Sequence, residues 1–176
     1  MQDHLNLVRI LPPQKRKDIL RRGRLVDQLH QNTNRKLNFI SASAGFGKTS
    51  LMLDFANELD AAVCWYQIAR GDEDLLQFAR YLTAALRQKF KPFGRGLENL
   101  LNGPGGVLNP QTLATAMVNE IVAQVDDFCV LFLDDFHIVG EVRLISEFLE
   151  AFLDYLPERL RVVIASRSVY GIPTAK

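Results

Sequence analysis

The stretch Ala42-Ser43-Ala44-Gly45-Phe46-Gly47-Lys48-Thr49 decides the fold expected for this chain of 176 residues. It fits the pattern G-x-x-x-x-G-K-[ST] at every fixed position except the first, where alanine replaces glycine. The short apolar run 37–40 precedes it, and apolar residues with a helical period follow it over 51–59. The sequence therefore predicts a strand, a glycine-bearing loop and a helix, which is the context in which this pattern binds phosphate.

Each residue type in the loop has a chemical reason. Small residues let backbone amides close around phosphate oxygens, and a helix that begins near Lys48 points its positive end at the same anion. Lys48 adds a charge for the β- and γ-phosphates, while the Thr49 hydroxyl completes the shell of a Mg²⁺ ion. A chance glycine loop with a surface lysine is the alternative, and the flanking strand and helix disfavour it. The candidate cofactor-binding residues are Ala44, Gly45, Phe46, Gly47, Lys48, Thr49 and Ser50.

A second motif is the apolar run 130–133, which ends in Asp134 and Asp135. Ligands of open α/β sheets gather at the carboxyl ends of strands, so Asp134 is predicted to join Thr49 as a magnesium ligand. Asp135 is predicted to act as a general base on the attacking water, and its alternative role is a solvated helix cap. His137 is left out of the catalytic set because a lone histidine in such a turn is more often structural.

A third candidate lies after another apolar run, 161–166, where Arg167 follows directly. A cation at this strand end is placed to sense or stabilise a γ-phosphate. The spacing favours this catalytic role and a plain surface arginine about equally.

The remaining pattern predicts the architecture. The run 61–68 is apolar on nearly every residue, which is typical of a strand covered on both faces, and helices are expected after Asp72-Glu73-Asp74, over about 110–124 and over about 141–155. The three acids are interpreted as helix caps. Alternating strands and helices predict an α/β, three-layer sandwich of the P-loop type with a mainly parallel sheet. Residues 1–31 are assigned to a lead-in and 32–176 to the nucleotide-binding core.

Composition limits the classes of partner. The formal net charge of +1 gives no long-range field for nucleic acid or acidic membranes. Cys64 and Cys129 lie in apolar runs, so buried reduced thiols are expected rather than a disulfide or zinc site. The chain has no apolar stretch of membrane-spanning length and no signal peptide, so a cytoplasmic location without membrane association is predicted.

Together these motifs resemble one family, the STAND signal-transduction ATPases, in the branch of large LuxR-type, ATP-dependent transcriptional activators related to the activator of the maltose regulon. The resemblance rests on 11–13 leading to Arg24-Leu25-Val26, on 41–49, on Leu133-Asp134-Asp135-Phe136-His137 and on 165–168. The phosphate loop of that family also commonly begins with alanine.

The resemblance implies a function and further residues. It implies an ATP- and Mg²⁺-dependent switch that self-associates in the full-length protein, hydrolyses ATP slowly and binds DNA only through a C-terminal domain absent here. Arg24 would lie near the adenine. The chain would be an N-terminal piece that lacks the family's winged-helix, sensor and helix-turn-helix segments and the fifth strand, which would leave the edge beside 37–40 uncovered.

Two other functions stay open at this point. A small P-loop kinase would transfer the γ-phosphoryl group to a metabolite, but no arginine-rich lid is seen between Leu108 and Leu160. A nucleotide-binding scaffold that never hydrolyses is the other alternative. ATP is preferred over GTP on the resemblance alone, since no guanine-reading Asn-Lys-x-Asp element is present.

Overall fold

A computed structural model describes residues 5–14, 20–102 and 109–169. The glycine-rich break expected at 102–106 therefore lies almost wholly outside the described residues, as does the basic run 15–17 of the lead-in. Four strands and six α-helices are formed in these ranges. The strands are β1 Leu37–Ser41, β2 Ala62–Gln67, β3 Cys129–Asp134 and β4 Leu160–Ser166. The α-helices are α1 Gly23–Gln31, α2 Lys48–Glu58, α3 Leu75–Arg87, α4 Glu98–Asn102, α5 Pro110–Gln124 and α6 Arg143–Asp154.

The four strands form one sheet in the order β1-β4-β3-β2, and every pair is parallel. All four carboxyl ends consequently meet at one edge of the sheet, where ligands of α/β proteins bind. Since β4 lies between β1 and β3, the loop after β1 and the acids after β3 face each other across the end of β4. The predicted α/β fold with a parallel sheet is confirmed.

β1 is the end strand of the sheet. Within the described ranges it pairs with β4 alone, with Leu37 opposite Val162 and Ser41 opposite Ser166. Among the described residues the sheet has four strands with β1 at its edge; that a fifth strand is lacking and that this edge is uncovered stays a prediction.

Two apolar cores hold the sheet between helical layers. On one face, Tyr66, Leu131 and Ile164 pack with buried residues of α3, α5 and α6. On the other face, Trp65 and Phe132 stack 5.3 Å apart and pack with residues of α1 and α2. The side-chain alternation of each strand explains this division, because successive residues point to opposite faces. The three-layer arrangement follows directly.

The lead-in contributes to both cores. Ile10, in the 3-10 helix Leu7–Ile10, is buried in the first, and Val26 and Leu29 of α1 are buried in the second. The division at residue 31 stays a prediction. Cys64 and Cys129 are buried free thiols in neighbouring strands, as the sequence predicted. No helix in the described part of the chain is long and apolar enough to cross a membrane.

The prediction that Asp72, Glu73 and Asp74 are all helix caps is wrong for Asp72 and for Glu73, whose carboxylate accepts the backbone N–H of Gly71 before the helix. Asp74 is the N-cap of α3 and accepts a hydrogen bond from the backbone N–H of Gln77 at 2.9 Å. Asp72 instead forms a buried ion pair with Arg9 and accepts the backbone N–H of Ala69 at 2.9 Å. Its side chain is 1% exposed and that of Arg9 is 15% exposed. A contact across 63 positions leaves no local signal in the sequence.

The two acids therefore predict different stability losses. Asp72→Ala leaves the Arg9 guanidinium without its buried counter-charge and should lower the free energy of unfolding by about 3–5 kcal/mol. Asp74→Ala removes only a cap and should cost about 1 kcal/mol. Urea unfolding of the two variants beside the wild type measures both values. Equal losses would contradict the separate roles.

Candidate nucleotide-binding site

The loop between β1 and α2 has the backbone that its glycines predict. Gly45 has φ +80° and Gly47 has φ +71°, a left-handed region that side-chain-bearing residues rarely adopt. Gly47 is also the N-cap of α2, so the amide end of that helix faces the loop. Ala44, Gly45 and Phe46 are exposed there, and Ser50 is half-buried in the first turn of α2. The loop thus presents exposed backbone and a helix amino end to an anion.

Lys48 is already aimed into the loop. Its side chain is buried, with 8% of the residue exposed, and its Nζ donates to the carbonyl oxygens of Ala42 at 2.6 Å and Ser43 at 3.0 Å. None of the ion pairs found among the described residues includes it. A buried ammonium whose hydrogen bonds go to neutral carbonyls can exchange them for the charged oxygens of a phosphate.

The loop and the acidic strand end are joined directly. The Thr49 hydroxyl donates to Oδ2 of Asp134 at 2.6 Å, and Oδ1 of Asp134 accepts the backbone N–H of Asp135 at 3.0 Å. Burial raises the pKa of Asp134, which is 1% exposed, and the neighbouring charge of Asp135 raises it further. The two residues predicted to share a magnesium ion therefore lie in contact.

These oxygens fit Mg²⁺. A buried carboxylate without an ion-pair partner in the described ranges gains from a cation, and Mg²⁺ binds through one or two protein oxygens plus the substrate phosphates. The described residues hold no group of three or more His, Cys, Asp or Glu side chains able to bind a metal by themselves. Thr49 and Asp134 are the oxygen donors that would hold the ion.

Asp135, His137 and Arg167 form a second group beside Asp134. Asp135 has a left-handed φ of +58° and is the N-cap of the 3-10 helix Phe136–Ile138. His137 Nδ1 lies 3.9 Å from Asp135 Oδ1 and has no hydrogen-bond partner within the described chain. Burial lowers the pKa of His137, and the positive charge of Arg167 lowers it further. Arg167 is exposed, and it is close enough to His137 for the two side chains to interact electrostatically.

A cleft of about 400 Å³ extends from the other side of the loop. It runs between α1 and the edge strand β1, with Arg22, Phe46 and Lys48 at the loop end and side chains such as Gln28 and Leu29 farther along α1. Arg24 is exposed and is not among the lining residues, so its place near adenine stays a prediction. Arg22 is a lining residue that sequence reasoning missed, because nothing distinguishes it from the other lead-in arginines.

The parallel sheet, the loop at the carboxyl end of its first strand and the acids at the end of β3 define a P-loop NTPase fold. No protein-family model matches the chain, but individual relatives do. The chain is 31% identical over 157 residues to the HTH-type transcriptional regulator MalT of Vibrio parahaemolyticus, and 29% identical to MalT of Vibrio campbellii. It is also 29% identical over 161 residues to the serine/threonine-protein kinase PknK of Mycobacterium tuberculosis.

The alignments cover most of this chain but only a small part of each relative. The alignments take in 88% of this chain and 17% of each MalT, and 90% of this chain and 14% of PknK. The chain is thus a MalT-like P-loop domain, as its motifs predicted. It spans about a sixth of the length of these relatives.

The raised pKa of Asp134 predicts a pH-dependent stability. Because its folded-state pKa lies above the unfolded value, the contribution of Asp134 is fully favourable only below the unfolded pKa and is lost as pH rises through the folded one. The unliganded protein should therefore lose stability relative to Asp134→Asn as pH rises from the ordinary value of 3.8 towards neutrality. Urea unfolding across this range measures the difference, with the exposed Asp126→Asn as control. A difference that does not change with pH would contradict it.

Proposed function

We propose that this domain is the Mg-ATP-binding, slowly hydrolysing switch of a larger transcriptional regulator of the STAND class. The observation that carries the proposal is the 2.6 Å hydrogen bond from Thr49 to Asp134. It joins the phosphate loop to the acidic end of β3, which are 85 positions apart in the sequence, at the point where both motifs need to share a metal ion.

Binding is assigned to the loop. Backbone amides of 44–48 and the amino end of α2 surround the β-phosphate, and Lys48 exchanges its carbonyl partners for phosphate oxygens. Thr49 and Asp134 would hold the magnesium ion, and the ion would supply positive charge against the phosphates. The cleft between α1 and β1 receives the nucleoside, since it opens from the same loop and its volume is that of a small-molecule site.

Hydrolysis is assigned to the second group. A carboxylate oxygen of Asp135 takes a proton from the attacking water as its oxygen bonds to the γ-phosphorus. The bond from that phosphorus to the β–γ bridging oxygen breaks and ADP leaves, while Arg167 donates to the phosphoryl oxygens as charge develops. Asp135 is suited to this because its side chain is 30% exposed, whereas Asp134 is enclosed. The base therefore reaches solvent while the metal ligand does not.

The relatives favour regulation over metabolic turnover. One is named a transcriptional regulator and another a serine/threonine-protein kinase, yet both share this one segment with the chain. A segment common to proteins with such different names supplies a property that both can use, and a nucleotide-dependent switch is such a property. We place the full protein in the cytoplasm, where other parts of it bind DNA and allow self-association.

Thermal unfolding with Mg-ATP tests the binding site. Ligand at one hundred times its dissociation constant adds about 2.7 kcal/mol, which for a domain of this size is an upward Tm shift of roughly 5–11 °C. The shift should vanish in Lys48→Ala. It should persist in Lys89→Ala, which removes an exposed lysine just after α3, a helix on the face of the sheet opposite to α1 and α2. Mg-GTP run in parallel reports base preference. An undiminished shift in Lys48→Ala would refute the assigned site.

Asp135→Asn tests hydrolysis separately. Asparagine tolerates the left-handed backbone at this position, so the fold and the Mg-ATP Tm shift should remain. Release of phosphate should fall at least about 100-fold, the usual contribution of a general base. Unchanged turnover would remove Asp135 from the mechanism. Wild-type binding without turnover would favour a scaffold, and transfer of the phosphoryl group to a metabolite would favour a kinase.

A further inference from the structure

We infer that Arg22 is a second phosphate-binding cation of this site, acting from α1 on the side of the loop opposite to the magnesium ligands. The inference rests on the proposed nucleotide-binding function. It assigns to Arg22 a role in affinity for nucleoside di- and triphosphates and none in hydrolysis.

The position of the Arg22 side chain is the first observation. Its Nη2 atom lies 3.4 Å from the point that a Cβ would occupy at Gly47, and its Cζ lies 3.7 Å from the same point. Arg22 is also the N-cap residue of α1, so its backbone is fixed by the first turn of a helix that packs on α2. The guanidinium of this exposed residue therefore lies beside the glycine that caps α2.

The absence of a counter-charge is the second observation. The neighbouring Arg21 donates from Nε and Nη2 to Glu58 Oε1 at 3.0 and 2.6 Å, whereas the Arg22 side chain has no hydrogen bond or ion pair with the residues described here. Gly47, which Arg22 approaches, is the N-cap at the positive end of α2, and the positively charged Lys48 lines the same cleft. Three positive groups at one loop repel one another, and an anion bound among them relieves that repulsion.

The geometry separates Arg22 from the catalytic group. The cleft that Arg22 lines includes Phe46 and Lys48 but none of Thr49, Asp134, Asp135 or Arg167. A cation on the cleft side faces the phosphates nearer the nucleoside rather than the one that is transferred. Its contact should be made equally by ATP and ADP, and equally in the ground and transition states, which affects binding but not turnover.

The test measures affinity and turnover in the same variants. In Arg22→Ala, the Kd values for Mg-ATP and for ADP should each rise about 10-fold or more, the usual effect of losing a charged hydrogen bond, while kcat at saturating Mg-ATP stays at the wild-type value. Arg22→Lys should recover part of the affinity, because lysine keeps the charge but not the bidentate fork. Arg35→Ala removes an exposed arginine before β1, at the far end of that strand, and should change neither quantity.

The outcomes separate this inference from the proposed function. Unchanged Kd values in Arg22→Ala, in a protein whose binding is lost in Lys48→Ala, would overturn the role of Arg22 and leave the nucleotide site intact. A fall in kcat with unchanged Kd would also overturn it, since Arg22 would then belong to hydrolysis. A wild-type domain that binds no nucleotide would overturn both. The Tm of unliganded Arg22→Ala should be no lower than that of the wild type, because the variant removes one of the mutually repelling charges, and this excludes a merely structural loss.

Discussion

The complete burial of β3 is the constraint on which the rest of the structure depends. All six of its residues are buried, between α5 and α6 on one face and α1 and α2 on the other. A strand covered on both faces has to be apolar along its length, so its first polar side chain falls where the strand ends. That side chain is Asp134, and the register with β2 and β4 fixes its height at the sheet edge.

Function and stability are opposed at this edge. Asp134 is a carboxylate with a raised pKa, Lys48 is a buried ammonium bound to neutral carbonyls, and His137 has a buried nitrogen with no described partner. Each of these groups costs free energy in the unliganded protein. Groups of this kind are concentrated in binding sites, where a ligand supplies the missing partner.

The sequence predicted most of the fold because its signals are local. Apolar runs predicted all four strands to within one residue at each end, and the strand, glycine-bearing loop and helix expected around 42–49 are all present. The five-residue helix α4 was missed because it is too short to show a period. Asp72 and Arg22 were misread or missed because their roles depend on residues distant in the chain, Arg9 in one case and Gly47 in the other.

The two carbonyl contacts of Lys48 have a consequence for the thermodynamics of ligand capture. A lysine free in solvent samples many rotamers, and immobilising such a side chain costs roughly 0.5–1.5 kcal/mol when a complex forms. The Lys48 side chain loses its rotamer freedom when the protein folds, before any ligand binds. A phosphate bound as proposed would replace one set of oxygen acceptors with another around an ammonium that is already positioned at the loop, and the entropic penalty of binding would be smaller for that reason.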